Sequence, residues 1–241
     1  VLSIRHALDR FRAEERARAP EHAAAAVEDA LESLVLFLES YGYQYVAQDD
    51  EEYVEEGDED YDEDEVPFIE ANTADVLPEA LIEFLFEWQI RESSGDPEDA
   101  RTTCEVAGRL MDWLAEERLV RVADALEASA MARRAADEVP RAMRLASFLH
   151  ELAREAPQEP RSSDDEVVED FFRIERVEPG RLWLEQEVGP IAVPEAASQI
   201  AEPGWWVNVV AMRLEGTWYL GEVGNVYPRL AEDSGSSDRS G

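Results

Sequence analysis

The sequence predicts an α+β architecture, with an N-terminal all-helical domain followed by a small antiparallel β-barrel, and three observations carry that prediction. Apolar residues recur at helical spacing through most of residues 3–152, as in Val27, Leu31, Leu34 and Leu38, or Leu81, Leu85 and Trp88. Residues 169–228 switch to short strand-like runs separated by tight-turn signals. Between the two, the Pro-, Ser- and Asp-rich stretch 157–168 has no periodicity and reads as an interdomain linker. The expected organisation is a helical domain over 1–156 carrying an acidic loop at 47–65, the linker, a barrel over 169–228, and a polar, serine-rich, disordered tail over 229–241.

The barrel has the clearest plan. Phe171-Phe172-Arg173-Ile174 runs into Glu178-Pro179-Gly180-Arg181, where proline suits the second position of a tight turn and glycine the positive φ of the third. The chain returns through Leu182, Trp183 and Leu184, and Ile191 and Val193 form a short third strand. Two further runs, 205–214 and 217–223, flank Glu215-Gly216, a two-residue connection of the kind that closes antiparallel hairpins. Eight aromatics fall within 169–228, enough for about five short strands to close around an aromatic core as an SH3-like or OB-like barrel. In the fourth run Trp205, Val207, Val209 and Ala211 form one phase and Trp206, Asn208, Val210 and Met212 the other; Asn208 marks the second phase as outward-facing in part. Tyr219 lies opposite in phase to Trp218 and Leu220. Trp206, Asn208 and Tyr219 are therefore the candidate partner-binding residues.

Composition bounds the remainder. The chain has 241 residues and a formal charge of -35, and all 22 basic residues are arginine. This balance is similar to that of proteins from salt-in halophiles, because molar salt shortens the Debye length to about 3 Å and screens the self-repulsion of so acidic a chain. One cysteine, Cys104, excludes an internal disulfide. No apolar run approaches the roughly 18 residues of a membrane span, and the N-terminal residues lack the apolar core of a signal peptide, so the cytoplasm is expected, with no membrane partner.

In chain order, 3–18 is helix-permissive and the most basic stretch, with Arg5, Arg10, Arg12, Arg16 and Arg18 available to an acidic partner or RNA, or balancing the acidic body. Pro20 opens a stronger helix. Tyr41-Gly42-Tyr43-Gln44-Tyr45-Val46 suggests a short strand, and 49–65 holds 13 acidic residues in 17 positions without the ligand alternation of a calcium loop. Val66-Pro67-Phe68-Ile69 re-enters as an extended edge segment. Pro78 opens a helix apolar around most of its circumference, hence central, and Ser93-Ser94-Gly95 ends it. Asp96-Pro97 restarts the chain with a capping carboxylate, and Ala100, Cys104, Ala107, Leu110, Met111 and Leu114 line the next helix. Val122, Leu126 and Ala130, then Val139, Met143, Ala146, Leu149 and Leu152, predict two helices interrupted near Pro140, whose alanine-rich stripes suit close packing or a homodimer seam.

Leu81-Ile82-Glu83-Phe84-Leu85-Phe86-Glu87-Trp88 with Leu110-Met111-Asp112-Trp113-Leu114-Ala115-Glu116-Glu117 resembles the core-binding, SAM-like helices of phage-type integrases, over about 40 residues. The His-x-x-Arg and nucleophilic tyrosine that integrase catalysis requires have no counterpart, since His150 and Arg154 are wrongly spaced. The whole layout is similar to uncharacterised prokaryotic, haloarchaeal-type proteins that pair such helices with a C-terminal barrel, a likeness that implies no activity.

For chemistry, His6, His22 and His150 lie apart, without partners at zinc-ligand spacing, and Cys104 falls in an apolar stripe as an inert core thiol. No phosphate-binding glycine loop, nucleophile elbow or dinucleotide fingerprint occurs, so no metal, cofactor or catalytic residue is assigned. Two functions remain: a non-catalytic adaptor whose barrel engages a protein or a nucleic acid, and a carboxylate-dependent hydrolase with a site between the domains. Acidic residues outnumber basic ones in the barrel, which favours a protein partner over a phosphate backbone.

Overall fold

The protein is described from a computed structural model, which covers residues 2–18, 20–46, 66–92, 96–157 and 166–228, excepting the side chains of 21–23. The acidic loop 47–65, the helix stop at 93–95, linker residues 158–165 and the tail 229–241 lie outside the described residues. Helices occupy the N-terminal two thirds and five strands follow, which makes the fold α+β. Packing groups the chain into two compact units: Val1–Phe84 with Thr102–Arg133, and Leu85–Arg101 with Arg134–Gly241.

In the first unit, α1 (Ile4–Arg18) buries Ile4, Ala7, Leu8 and Phe11, a stripe at spacings of three and four that leaves its arginines outside. α2 (Glu21–Tyr41) buries Val27, Leu31, Leu34 and Leu38 as its periodicity predicts, with Phe37 added. The strand expected at 41–46 does not form: Tyr41 completes α2 and Gly42–Tyr45 is a 3₁₀ turn. Tyr41 and Tyr45 pack on Phe37 of α2, stacked at 5.9 Å and tilted at 6.3 Å, and the Tyr45 hydroxyl donates to Glu83, while Tyr43 is exposed. Gly42 is required by space, because a Cβ there would lie 2.5 Å from the Phe68 ring.

The extended edge segment expected at 66–69 is also corrected. Residues Phe68–Ala71 form a short helix, α3, directly after Pro67. Its first free N–H groups are capped from α2: Phe68 N–H donates to Glu39 Oε2 at 2.8 Å and Ile69 N–H to Oε1 at 3.3 Å. A carboxylate supplied from 29 positions away satisfies donors that a helix start otherwise leaves open. α4 (Leu77–Glu83) carries Pro78 in its first turn as expected and continues through a π turn, Phe84–Trp88, into α5 (Gln89–Glu92). Phe84 packs on Phe37 at 5.6 Å.

α6 (Pro97–Glu116) starts on the expected cap, Asp96 Oδ1 accepting the Glu98 N–H at 2.9 Å, and buries the six apolar residues named for it. The two helices expected around Pro140 are one, α7 (Val122–Glu155). An interior proline costs about 3 kcal/mol and one hydrogen bond. Here Ala132, Ala135, Val139, Ala142, Ala146, Leu149 and Ala153 continue one buried stripe straight across it, and that burial offsets the cost. The first turns of the helix also bury a different stripe from the one expected. Val122 and Leu126 are 56% and 58% exposed, while Ala125, Ala128 and Ala132 are buried. Alanine permits the closest helix approach: a Cβ on Gly108 of α6 would sit 3.5 Å from that of Ala132, and Ser129 is fully buried beside them.

In the second unit the strands are β1 (Glu166–Glu178), β2 (Arg181–Leu184), β3 (Ile191–Ala192), β4 (Trp206–Leu214) and β5 (Thr217–Tyr227), with a short helix α8 (Glu195–Ile200) between β3 and β4. β1 begins slightly ahead of the expected 169. Pairing follows β1-β2-β3-β5-β4, and β4 returns to β1, so the sheet closes on itself. β3 and β5 run parallel through Ile191 and Trp218; the remaining pairs are antiparallel. The two expected turns are present, with φ of 74° at Gly180 and of 50° and 82° at Glu215 and Gly216, the positive pair that matches strand twist in a two-residue hairpin. Inside the sheet, Phe172, Ile174, Leu182, Leu184, Trp205, Val207, Val209 and Leu220 share one buried cluster with Ala142, Leu145, Ala146 and Leu149 of α7. Arg141 holds this junction, bonded to Glu202 at 2.6 Å and to the Ile200 carbonyl at 3.1 Å and lying over Trp205 at 5.3 Å.

Candidate partner-binding face

The strand alternation of β4 divides two rows of side chains. Trp205, Val207, Val209 and Ala211 are buried, whereas Trp206, Asn208 and Val210 are half-buried; Met212, the last of that row, is buried. On β5 Trp218 and Leu220 are buried and Tyr219 is half-buried. All three candidates named from the sequence therefore lie on the outer row. Tyr219 pairs with Met212, at the opposite end of β4 from Trp206. Asn208 and Trp206 sit two residues apart, and their partners on β1 are Phe171 and Arg173.

Register completes the face. Across β1 the outer row reads Val167, Glu169, Phe171 and Arg173, paired with Met212, Val210, Asn208 and Trp206. Across β5, Tyr219, Glu222 and Tyr227 pair with Met212, Val210 and Trp206. Phe171 and Tyr227 approach to 6.1 Å between ring centroids at 46°, forming a small aromatic cluster beside Trp206. Val167 and Phe171 remain 49% and 41% exposed. These two, with Tyr227, were missed in the sequence because β1 shows a doubled Phe171-Phe172 whose inward member cannot be told from its outward one without the register.

Two irregularities in β5 shape the surface. The ladder shifts between Val207 and Val209, and again between Val210 and Ala211. At the first, a Cβ on Gly224 would come within 3.1 Å of the Asn208 Cβ and 3.2 Å of its Nδ2, so the Asn208 side chain packs directly against a glycine. At the second, a Cβ on Gly221 would come 2.9 Å from the Met212 Cε. The His150 Nε2–H of α7 donates to the Val223 carbonyl at 2.6 Å, fixing β5 beside the first shift. Among the described residues no hydrogen-bond partner reaches the Asn208 amide.

The other candidates read differently in place. The arginines of α1 are engaged with carboxylates: Arg5 with Glu70 at 3.0 Å, Arg10 with Glu117, Arg12 and Arg16 with Glu28 at 3.3 and 2.7 Å, and Arg18 with Glu14 at 2.9 Å. Cys104 is buried. Asp75, Glu79, Asp124 and Glu127 line a cleft of about 340 Å³ in the first unit, where Arg121 pairs with Asp124 at 3.4 Å. No group of three His, Cys, Asp or Glu side chains is placed to hold a metal ion among the described residues, and no described helix is long and apolar enough to cross a membrane. The Tyr45 hydroxyl is pushed well above its ordinary pKa by burial and by the Glu83 carboxylate that accepts its hydrogen bond. No family model matches the chain, and neither a curated protein nor a solved structure matches it.

Proposed function

We propose that this chain is a non-catalytic adaptor of a halophilic prokaryote, and that its sheet is a small OB-like barrel engaging a protein partner through the outer face of β1, β4 and β5. The barrel reading is supported by five strands in the closed order β1-β2-β3-β5-β4, a Greek-key arrangement. The halophilic reading is supported by the charge of -35 with arginine as the sole basic side chain besides histidine. One observation carries the binding reading: Val167 and Phe171 stay open to solvent on a face that also presents Trp206, Val210 and Tyr219 half-buried. These apolar groups flank Glu169 and Asn208, and exposed apolar surface gathered on one face marks interaction sites. Eleven carboxylates against four arginines over 166–228 oppose a phosphate backbone, so the partner is a protein.

The test is the double variant Trp206→Ser with Tyr219→Ser. Its melting temperature should stay within a few degrees of the parent, because neither ring is in the inner cluster. Affinity capture from native extract at native salt should lose the partner that the parent retains. A double variant that unfolds, or that keeps the partner, removes the assignment.

A further inference from the structure

We draw no further inference here: the strongest candidate, the cleft of about 670 Å³ in the first unit lined by Arg5, Glu39, Tyr43, Val66, Pro67 and Phe68, opens where residues 47–65, outside the described residues, leave and rejoin the chain, and nothing in the structure shows what covers it.

Discussion

The inner and outer rows of the β4–β5 ladder share one backbone and differ in everything that follows from which side they face. Trp205 and Trp206 are adjacent in sequence, yet the first is sealed in the cluster shared with α7, under Arg141, and the second is half-buried beside Phe171 and Tyr227. Trp218 and Tyr219 repeat the contrast one strand away. Because successive side chains point to opposite faces, a strand can hold its stability on one row and its recognition on the other with no compromise between them. The same distinction separates α1 from the sheet. The arginines of α1, the most conspicuous cations in the sequence, are engaged with neighbouring carboxylates, whereas Glu169 and Glu222, two acids among 57, have no described partner.

The contrast is broken most directly at the paired tryptophans. Trp205→Ala should cost about 3–5 kcal/mol in urea unfolding, the usual result of emptying a buried ring position, and Trp206→Ser far less. Equal losses at the two positions would mean that both rows are core. A smaller effect, spread over the whole surface, is expected from salt. With a charge of -35, the melting temperature should rise by several degrees between low and molar KCl as screening removes repulsion present in the compact state. A flat or falling curve would detach the acidity from halophilic adaptation.

The smallest effect concerns the first unit and is read against pH. Tyr45 has a folded-state pKa raised above its unfolded value of about 10, through burial and then through Glu83. Its contribution is therefore fully present below about pH 10 and is lost as pH rises above that value. Tyr45→Phe should cost about 1 kcal/mol at neutral pH, and should flatten the fall in stability between about pH 10 and 12 relative to the parent. Parallel curves for the two proteins would show that the hydroxyl makes no such bond.

Local pattern alone determined much of this protein. Helical spacing located α1, α2, α4 and α6, and the Asp96 cap and Pro78 were read at their places, because each depends on residues within a turn or two of one another. Turn chemistry placed the hairpins at Gly180 and at Glu215-Gly216, and strand alternation put Trp206, Asn208 and Tyr219 on the outer row. Tertiary structure decided what rests on distant partners. Glu39 turns an extended-looking segment into α3, the buried alanine stripe carries α7 through Pro140, and small residues rather than Val122 and Leu126 face the core because close packing outweighs side-chain size there. The face itself belongs to this second class. Val210 gains its two flanking carboxylates only when β1 and β5 come to lie on either side of β4, and that register is set by closure of the sheet and by the shifts at Gly221 and Gly224, which no single strand encodes.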